Sequence, residues 1–378
     1  MLFEICKKLG DDVLYNRFIK DFHDSIGDHT LVAWGRELAT DNDKAFPVEH
    51  TGNLFKLYSL YSYLIFPYLH IMPNQRARSQ SPFKLIYLDL FAGNGLNRIE
   101  TNKREYYVCG SPILTLLASF LMSQRRRYSC YFDQMILIDQ KKENVALLSQ
   151  RINCVAKKLN IDSVITVSNK LEDRNSNVTV TKADVTDDRF VQILIDVINK
   201  IWTNNHIHVM LFIDPDAPRN LKMQTLKEML KFPGDLLMLL HPGIFAEMTM
   251  KKRYNEKTLM SMLGIDRKEA ESLMTERQEP AVLSEYYVKK YEAAIKGTPI
   301  SRLKQGGNKR EVVIKVHIST KQSSYLLIYA TRETGGNSSV WQKPFANFAN
   351  WIGKQSDAGE LALHVLTGHQ SSLDHFSL

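Results

Sequence analysis

The residues best suited to chemistry sit in short clusters, each closing an apolar run. The first is Asp89-Leu90-Phe91-Ala92-Gly93-Asn94-Gly95, directly after KLIYL. Glycine has no Cβ, so the backbone there can turn sharply and come close to a ligand. In open α/β sheets, ligands lie beyond the carboxyl ends of the strands, where the strand order reverses. Asp139 closes a second run, where a carboxylate can accept both hydroxyls of a ribose; Asp184 follows a third. Asp214-Pro215-Asp216 closes a fourth, VMLFI. The proline restrains the backbone before it, and the two carboxylates could orient a nucleophilic nitrogen or act as a base. His241 ends a fifth run and is either a general base or a hydrogen-bonded structural group. No metal centre is expected. His206 and His208 alternate with no third ligand, and Cys6, Cys109, Cys130 and Cys154 lack zinc spacing.

The elements that must hold these residues follow from periodicity. Lys84–Leu90, Met135–Ile138, Val178–Thr181, Val209–Ile213 and Asp235–Leu240 are short, apolar and separated by helix-length segments such as SPILTLLASFLM and RFVQILIDVINKIW. Strands that are nearly all apolar, alternating with helices, predict a parallel sheet covered on both faces. Glu311–Ile318 and Tyr325–Thr331 then read as a late hairpin. Five parallel strands followed by an antiparallel pair is the class I methyltransferase layout, whereas dinucleotide dehydrogenases end on a parallel sixth strand. The expected fold is therefore α/β and Rossmann-like, with a mostly parallel seven-stranded sheet and helices on both faces. The expected ligand is S-adenosylmethionine, with Asp184 placed to bond its adenine. Arg98 stands where a dinucleotide fingerprint has its third glycine, and Asp139 lies far beyond the ~20 residues at which that fingerprint puts its acid.

Around this core the sequence predicts three regions. Residues 1–80 are a helical N-terminal region, with Leu57, Tyr61, Leu64 and Tyr68 on one face and a polar linker over 72–82. Residues 81–332 form the Rossmann-like domain, with a helical insertion at about 246–305 bearing Leu259, Met262 and Leu263 on one side. Residues 333–378 are a C-terminal helical tail. Ser111-Pro112 reads as an N-cap and first-turn pair for the SPILTLLASFLM helix.

The chain has 378 residues, 44% of them hydrophobic and 24% charged, which suits a globular protein with a sizeable core. No run of about 18 apolar residues suggests a membrane span. The opening MLFEICKKLG has no secretion-signal pattern, so a cytoplasmic location is expected. Net charge is +8, with basic clusters at 125–127, 251–253 and 289–290. Nucleic acid is the commonest partner for such a balance.

In order and spacing, LDLFAGNG, CGSPILTLLASF, LIDQ, FIDPDAPRNLKMQTLKEML and DLLMLLHPG resemble the three-Cys-motif partner (TcmP) family, over roughly residues 30–335. Trp34 and His50-Thr51 resemble that family's N-terminal region. The resemblance implies S-adenosylmethionine contacts at Asp89, Phe91, Ala92, Gly93, Gly95, Asp139 and Asp184, with Ser111 nearby and Asp214 and Pro215 at the reactive edge. It also implies a companion protein with a three-cysteine motif, similar to a radical-SAM iron–sulfur protein. Asn94 stands where the family often has proline, and Asp216-Ala217 replaces its aromatic-Gly pair. Base methyltransferases carry an aromatic ring there to stack on the target. Two readings thus stand side by side: a methyltransferase using Asp214, Pro215 and Asp216, or a Rossmann-like partner without catalysis.

Overall fold

The computed structural model of the chain describes residues 34–35, 37–39, 46–48, 55–81, 83–100, 105–173, 175–203, 206–276, 278–300, 310–319 and 324–332. The expected C-terminal tail, His50-Thr51 and Cys6 lie outside them. In chain order the strands are β1 (Phe46–Val48), β2 (Phe83–Asp89), β3 (Leu96–Glu100), β4 (Glu105–Cys109), β5 (Gln134–Asp139), β6 (Val167–Ser168), β7 (Val178–Lys182), β8 (His206–Ile213), β9 (Gly234–Leu240), β10 (Arg310–Ser319) and β11 (Ser324–Arg332). The main sheet has eight strands in the order β10-β11-β9-β8-β2-β5-β7-β6. Pairing is parallel from β6 through β9, and β11 runs antiparallel to both β9 and β10. This mostly parallel α/β sheet is compatible with a Rossmann-like fold. The expected count of seven is corrected to eight: β6 is a two-residue edge pairing that no hydrophobic pattern announces.

The central strands are apolar at nearly every residue because both faces are covered. In β2, Leu85 and Tyr87 enter one core, while Ile86 and Leu88 enter the other. In β5, Leu137 and Ile138 divide the same way, as do Phe212 and Ile213 in β8. Successive side chains on a strand point to opposite faces, so a slip of one residue would exchange the two cores.

On the first face lie α1 (Phe55–Tyr63), a π-helical turn (Leu64–Tyr68), α2 (Leu69–Arg78), α3 (Ser111–Arg125) and α4 (Lys142–Lys158). The second face is covered by α5 (Asp188–Thr203), α6 (Met223–Leu230), α7 (Pro242–Met250), α8 (Glu256–Leu263), α9 (Arg267–Thr275) and α10 (Pro280–Gly297). Helices α7 to α10 follow one another over Pro242–Gly297. Leu259, Met262 and Leu263 are buried there. Helix α3 is buried almost all round because it is wedged between the sheet and α1, which explains a helix apolar on every side.

Two local expectations are corrected. The linker over 72–82 is helical as far as Arg78, with Pro73 inside α2. Burial of Leu69, Met72 and Pro73 offsets the hydrogen bond that a helical proline forfeits. The N-cap of α3 is Gly110, not Ser111, whose hydroxyl is used elsewhere. The span between β2 and α3 also holds β3 and β4, which form a separate three-stranded sheet with β1 in the order β1-β3-β4.

Candidate functional site

The chain steps from β2 outward to β5 and β7, then returns to place β8 on the other side of β2. The strand order therefore reverses between β2 and β8. At the carboxyl ends of these strands opens a pocket of about 480 Å³. Its wall includes Phe91, Ala92, Gly93, Gly95, Ser111, Asp139, Asp184, Asp214 and Asp216. Of the strand-end residues singled out in the sequence, Asp89, Pro215 and His241 stand outside that wall.

The glycine turn is held from several sides. Ala92 N–H donates to Ile138 O at the end of β5 (2.8 Å), and Gly110 N–H donates to Gly95 O (2.8 Å). Gly93 (φ +61°) has nothing within 4 Å of where a Cβ would be, so its backbone faces open space. Gly95 (φ +82°) is crowded: a Cβ would lie 2.7 Å from Leu148 Cδ1. Asn94 supplies two acceptors to the turn. Its Oδ1 accepts from Leu96 N–H (3.0 Å) and from Arg151 Nη1 (2.9 Å), and its carbonyl accepts from the same Nη1 (2.7 Å). Buried Arg151 was missed in the sequence. The signal was there: a cation inside the apolar stripe Val145, Leu148, Ile152, Val155 of α4.

Asp89 lies beneath the turn and is fully buried. It accepts from Ser111 Oγ (2.6 Å), Phe91 N–H (3.1 Å) and Tyr87 Oη (3.2 Å). Burial pushes its carboxyl up to about 7, although these donors pull the other way. Ser111 thus links the start of α3 to the end of β2.

The remaining carboxylates differ in how they are engaged. Asp139 Oδ1 accepts from Lys141 N–H (2.8 Å) and Asn144 Nδ2 (2.9 Å). Its second oxygen has no partner among the described residues. Asp184 Oδ1 caps its own turn through Thr186 N–H (2.8 Å) and Thr186 Oγ1 (2.7 Å). Asp214 Oδ2 pairs with Lys56 Nζ of α1 at 2.5 Å, while its Oδ1 is buried without a hydrogen bond. Asp216 reaches solvent, yet the surrounding pocket wall and then the charge of Asp214 raise its carboxyl above the usual range. His241 Nε2 lies 2.9 Å from Pro215 O. A carbonyl only accepts, so this nitrogen carries the hydrogen and fastens the Asp214-Pro215 turn to β9. Burial lowers the histidine's proton affinity. Lys56 is the second residue that sequence reading missed; it belongs to a helix far upstream, and nothing local marks it.

His206 and His208 do not converge on a metal. His208 Nδ1 instead meets Tyr68 Oη (3.1 Å), and no cluster of metal-binding groups exists among the described residues. No family model matches the chain, and no curated protein matches it.

Proposed function

We propose that the pocket binds S-adenosylmethionine and that the protein is a methyltransferase of the class I, TcmP-like kind. The observation that carries this reading is the meeting of Gly93, Gly95, Asp139 and Asp184 in one pocket at the β2/β8 reversal. The closing pair β10 and β11, antiparallel at the edge beside β9, agrees with a methyltransferase layout and not with a dinucleotide one. The pocket's free groups suit the ligand. The open oxygen of Asp139 can take a ribose hydroxyl, and the bare backbone at Gly93 admits close approach.

When bound, S-adenosylmethionine supplies an electrophilic methyl group. The chain's own residues would then position an acceptor. Asp214 and Asp216 face the pocket from the end of β8; Asp216, with its raised proton affinity, can take a proton, while Asp214 is paired with Lys56. His241 holds the intervening proline in place. A companion bearing a three-cysteine motif is proposed from the sequence resemblance.

Calorimetry with S-adenosylmethionine and S-adenosylhomocysteine tests the reading. Binding is expected, and Asp139→Ala should weaken it by about 10- to 100-fold, the worth of hydrogen bonds to a charged group. A folded sample that binds neither ligand overturns it.

Two observations favour a second reading, a non-catalytic Rossmann-like partner. Lys56 occupies the Asp214 carboxylate, and no aromatic ring follows Pro215 to stack on an acceptor. Loss of methyl transfer from labelled cofactor in a folded Asp214→Ala variant would exclude that alternative.

A further inference from the structure

The pocket has a second wall, made by the 3-10 turn Pro218–Asn220 and by helix α8, which pack together. Its chemistry is opposite to that of the strand ends. Asp139, Asp184 and Asp214 close β5, β7 and β8, whereas this wall presents Arg219, Asn220, Lys257 and Ser261 to the pocket. None of these four side chains has an ion pair or side-chain hydrogen bond with another described residue. Of the other cations of the pocket, Lys56 is taken by Asp214 (2.5 Å) and Lys222 by Asp188 (2.9 Å), while the side chain of Lys141, next to Asp139 on the acidic side, pairs with no described residue.

The positive surface continues outward. Lys252 and Arg253 are exposed in the turn before α8 and pair with no described residue, within about 11 Å of chain from Asn255 on the pocket wall. Lys252 holds φ +53°, a conformation that costs a lysine free energy and that glycine would adopt freely. Local folding does not call for a cation there.

We propose that this wall is the acceptor side of the site and that it holds the phosphates of a nucleic-acid strand. The proposal rests on the cofactor reading above and names the substrate class for it. Three features favour phosphates. Guanidinium and ammonium groups stand beside a free hydroxyl and a free amide, a donor set suited to phosphate oxygens. Two further exposed cations, Lys252 and Arg253, follow outside the pocket wall in the turn before α8. The net charge of +8 favours a polyanion over a small acid. The acids at the strand ends leave the other wall to the sulfonium-bearing cofactor.

Fluorescence anisotropy with labelled single-stranded DNA and RNA oligonucleotides of mixed sequence tests this. The wild-type chain should bind at least one with a Kd on the order of micromolar at physiological salt. The double variant Arg219→Glu with Lys257→Glu should bind at least about tenfold more weakly, with the salt slope reduced by about 1.4, or about 0.7 per lost phosphate contact. Lys200→Glu, at the far end of α5 beyond the opposite end of the sheet, should change neither appreciably. Circular dichroism checks the fold; if the double variant fails to fold, Arg219→Gln and Lys257→Gln separately serve instead. Equal affinity in the rim and Lys200 variants overturns the proposal. So does failure of wild type to bind either oligonucleotide, or displacement of the oligonucleotide by polyglutamate at equal charge. Calorimetry on the same samples separates the two readings. Rim-dependent oligonucleotide binding with no heat from S-adenosylmethionine keeps this site and removes the cofactor; cofactor binding with rim-independent oligonucleotide binding does the reverse.

Discussion

Asp89 shows how a residue can be legible in a sequence while its role is not. Its position after an apolar strand and before FAGNG marks a ligand-binding turn, but only the packing shows its oxygens engaged by Ser111, Phe91 and Tyr87. Its carboxyl, raised to about 7 by burial, makes a testable statement about pH. In the unfolded chain it titrates at about 3.9. Between about pH 4 and about pH 7 the folded state therefore holds a proton that the unfolded state has released. The contribution of this group to stability is full below that window and is lost as pH rises through it. Asp89→Asn cannot titrate. Its amide still accepts from Phe91 N–H, but its NH2 must be met by a hydroxyl that has turned to accept, at a cost of about 1 kcal/mol. The variant should be less stable than wild type at about pH 5 and should close the gap by about pH 8. Urea unfolding at both values measures it, and a gap that stays constant across the window contradicts the assignment. Arg151 and Lys56 belong to the same scale but were less visible. One is a cation interrupting a helical stripe; the other becomes a site residue only when a distant helix folds back.

Among the elements, what could be read depended on how completely each was buried. Strands β2, β5, β8 and β9 are apolar at nearly every position, so their runs stand out. The hairpin β3–β4 (LNRIE and EYYVC) is short and lacks a regular apolar alternation, and with β1 it makes a sheet that no periodicity announces. The proline rule misled at Pro73, where packing outweighs a broken hydrogen bond. A glycine gives this scale its clearest test. Gly234 opens β9 at φ +144°, and a Cβ there would lie 1.9 Å from Val209 O. The obstruction is backbone in the adjacent strand, paired in register with Gly234, so no side chain can swing away. Gly234→Ala must separate β8 from β9 or break the pairing. It should cost about 3 kcal/mol or more. Chemical denaturation gives the number; a loss under about 1 kcal/mol would show that the β8–β9 register is more pliant than the structure has it.

At the scale of the whole molecule, the sequence suggested a helical N-terminal region followed by an α/β domain, and the packing joins them. Residues 55–78 do not cover a finished domain. Tyr61, Tyr63, Leu64, Ile65, Tyr68 and Leu69 are completely buried, in one core with Leu85, Tyr87, Leu137 and Phe212 of the sheet. Tyr63 Oη also bonds the buried carboxylate of Asp235 and reaches Tyr329 Oη (2.8 Å), tying α1 to β9 and β11. This continuity was unreadable in advance because an amphipathic helix shows that it has a partner but not which face of the sheet it covers. It decides what truncation would do. Each of those six side chains contributes about 1.5–3 kcal/mol by burial, so their sum is comparable to the roughly 5–15 kcal/mol that holds a typical protein folded. A fragment spanning residues 83–332 would expose that face of the sheet, leave Asp235 short of a donor, and remove Lys56 from Asp214. It should show no cooperative urea transition and little near-ultraviolet dichroism. A sharp two-state transition would mean that the N-terminal layer is a separable domain, and that the pocket forms without the helix supplying Lys56.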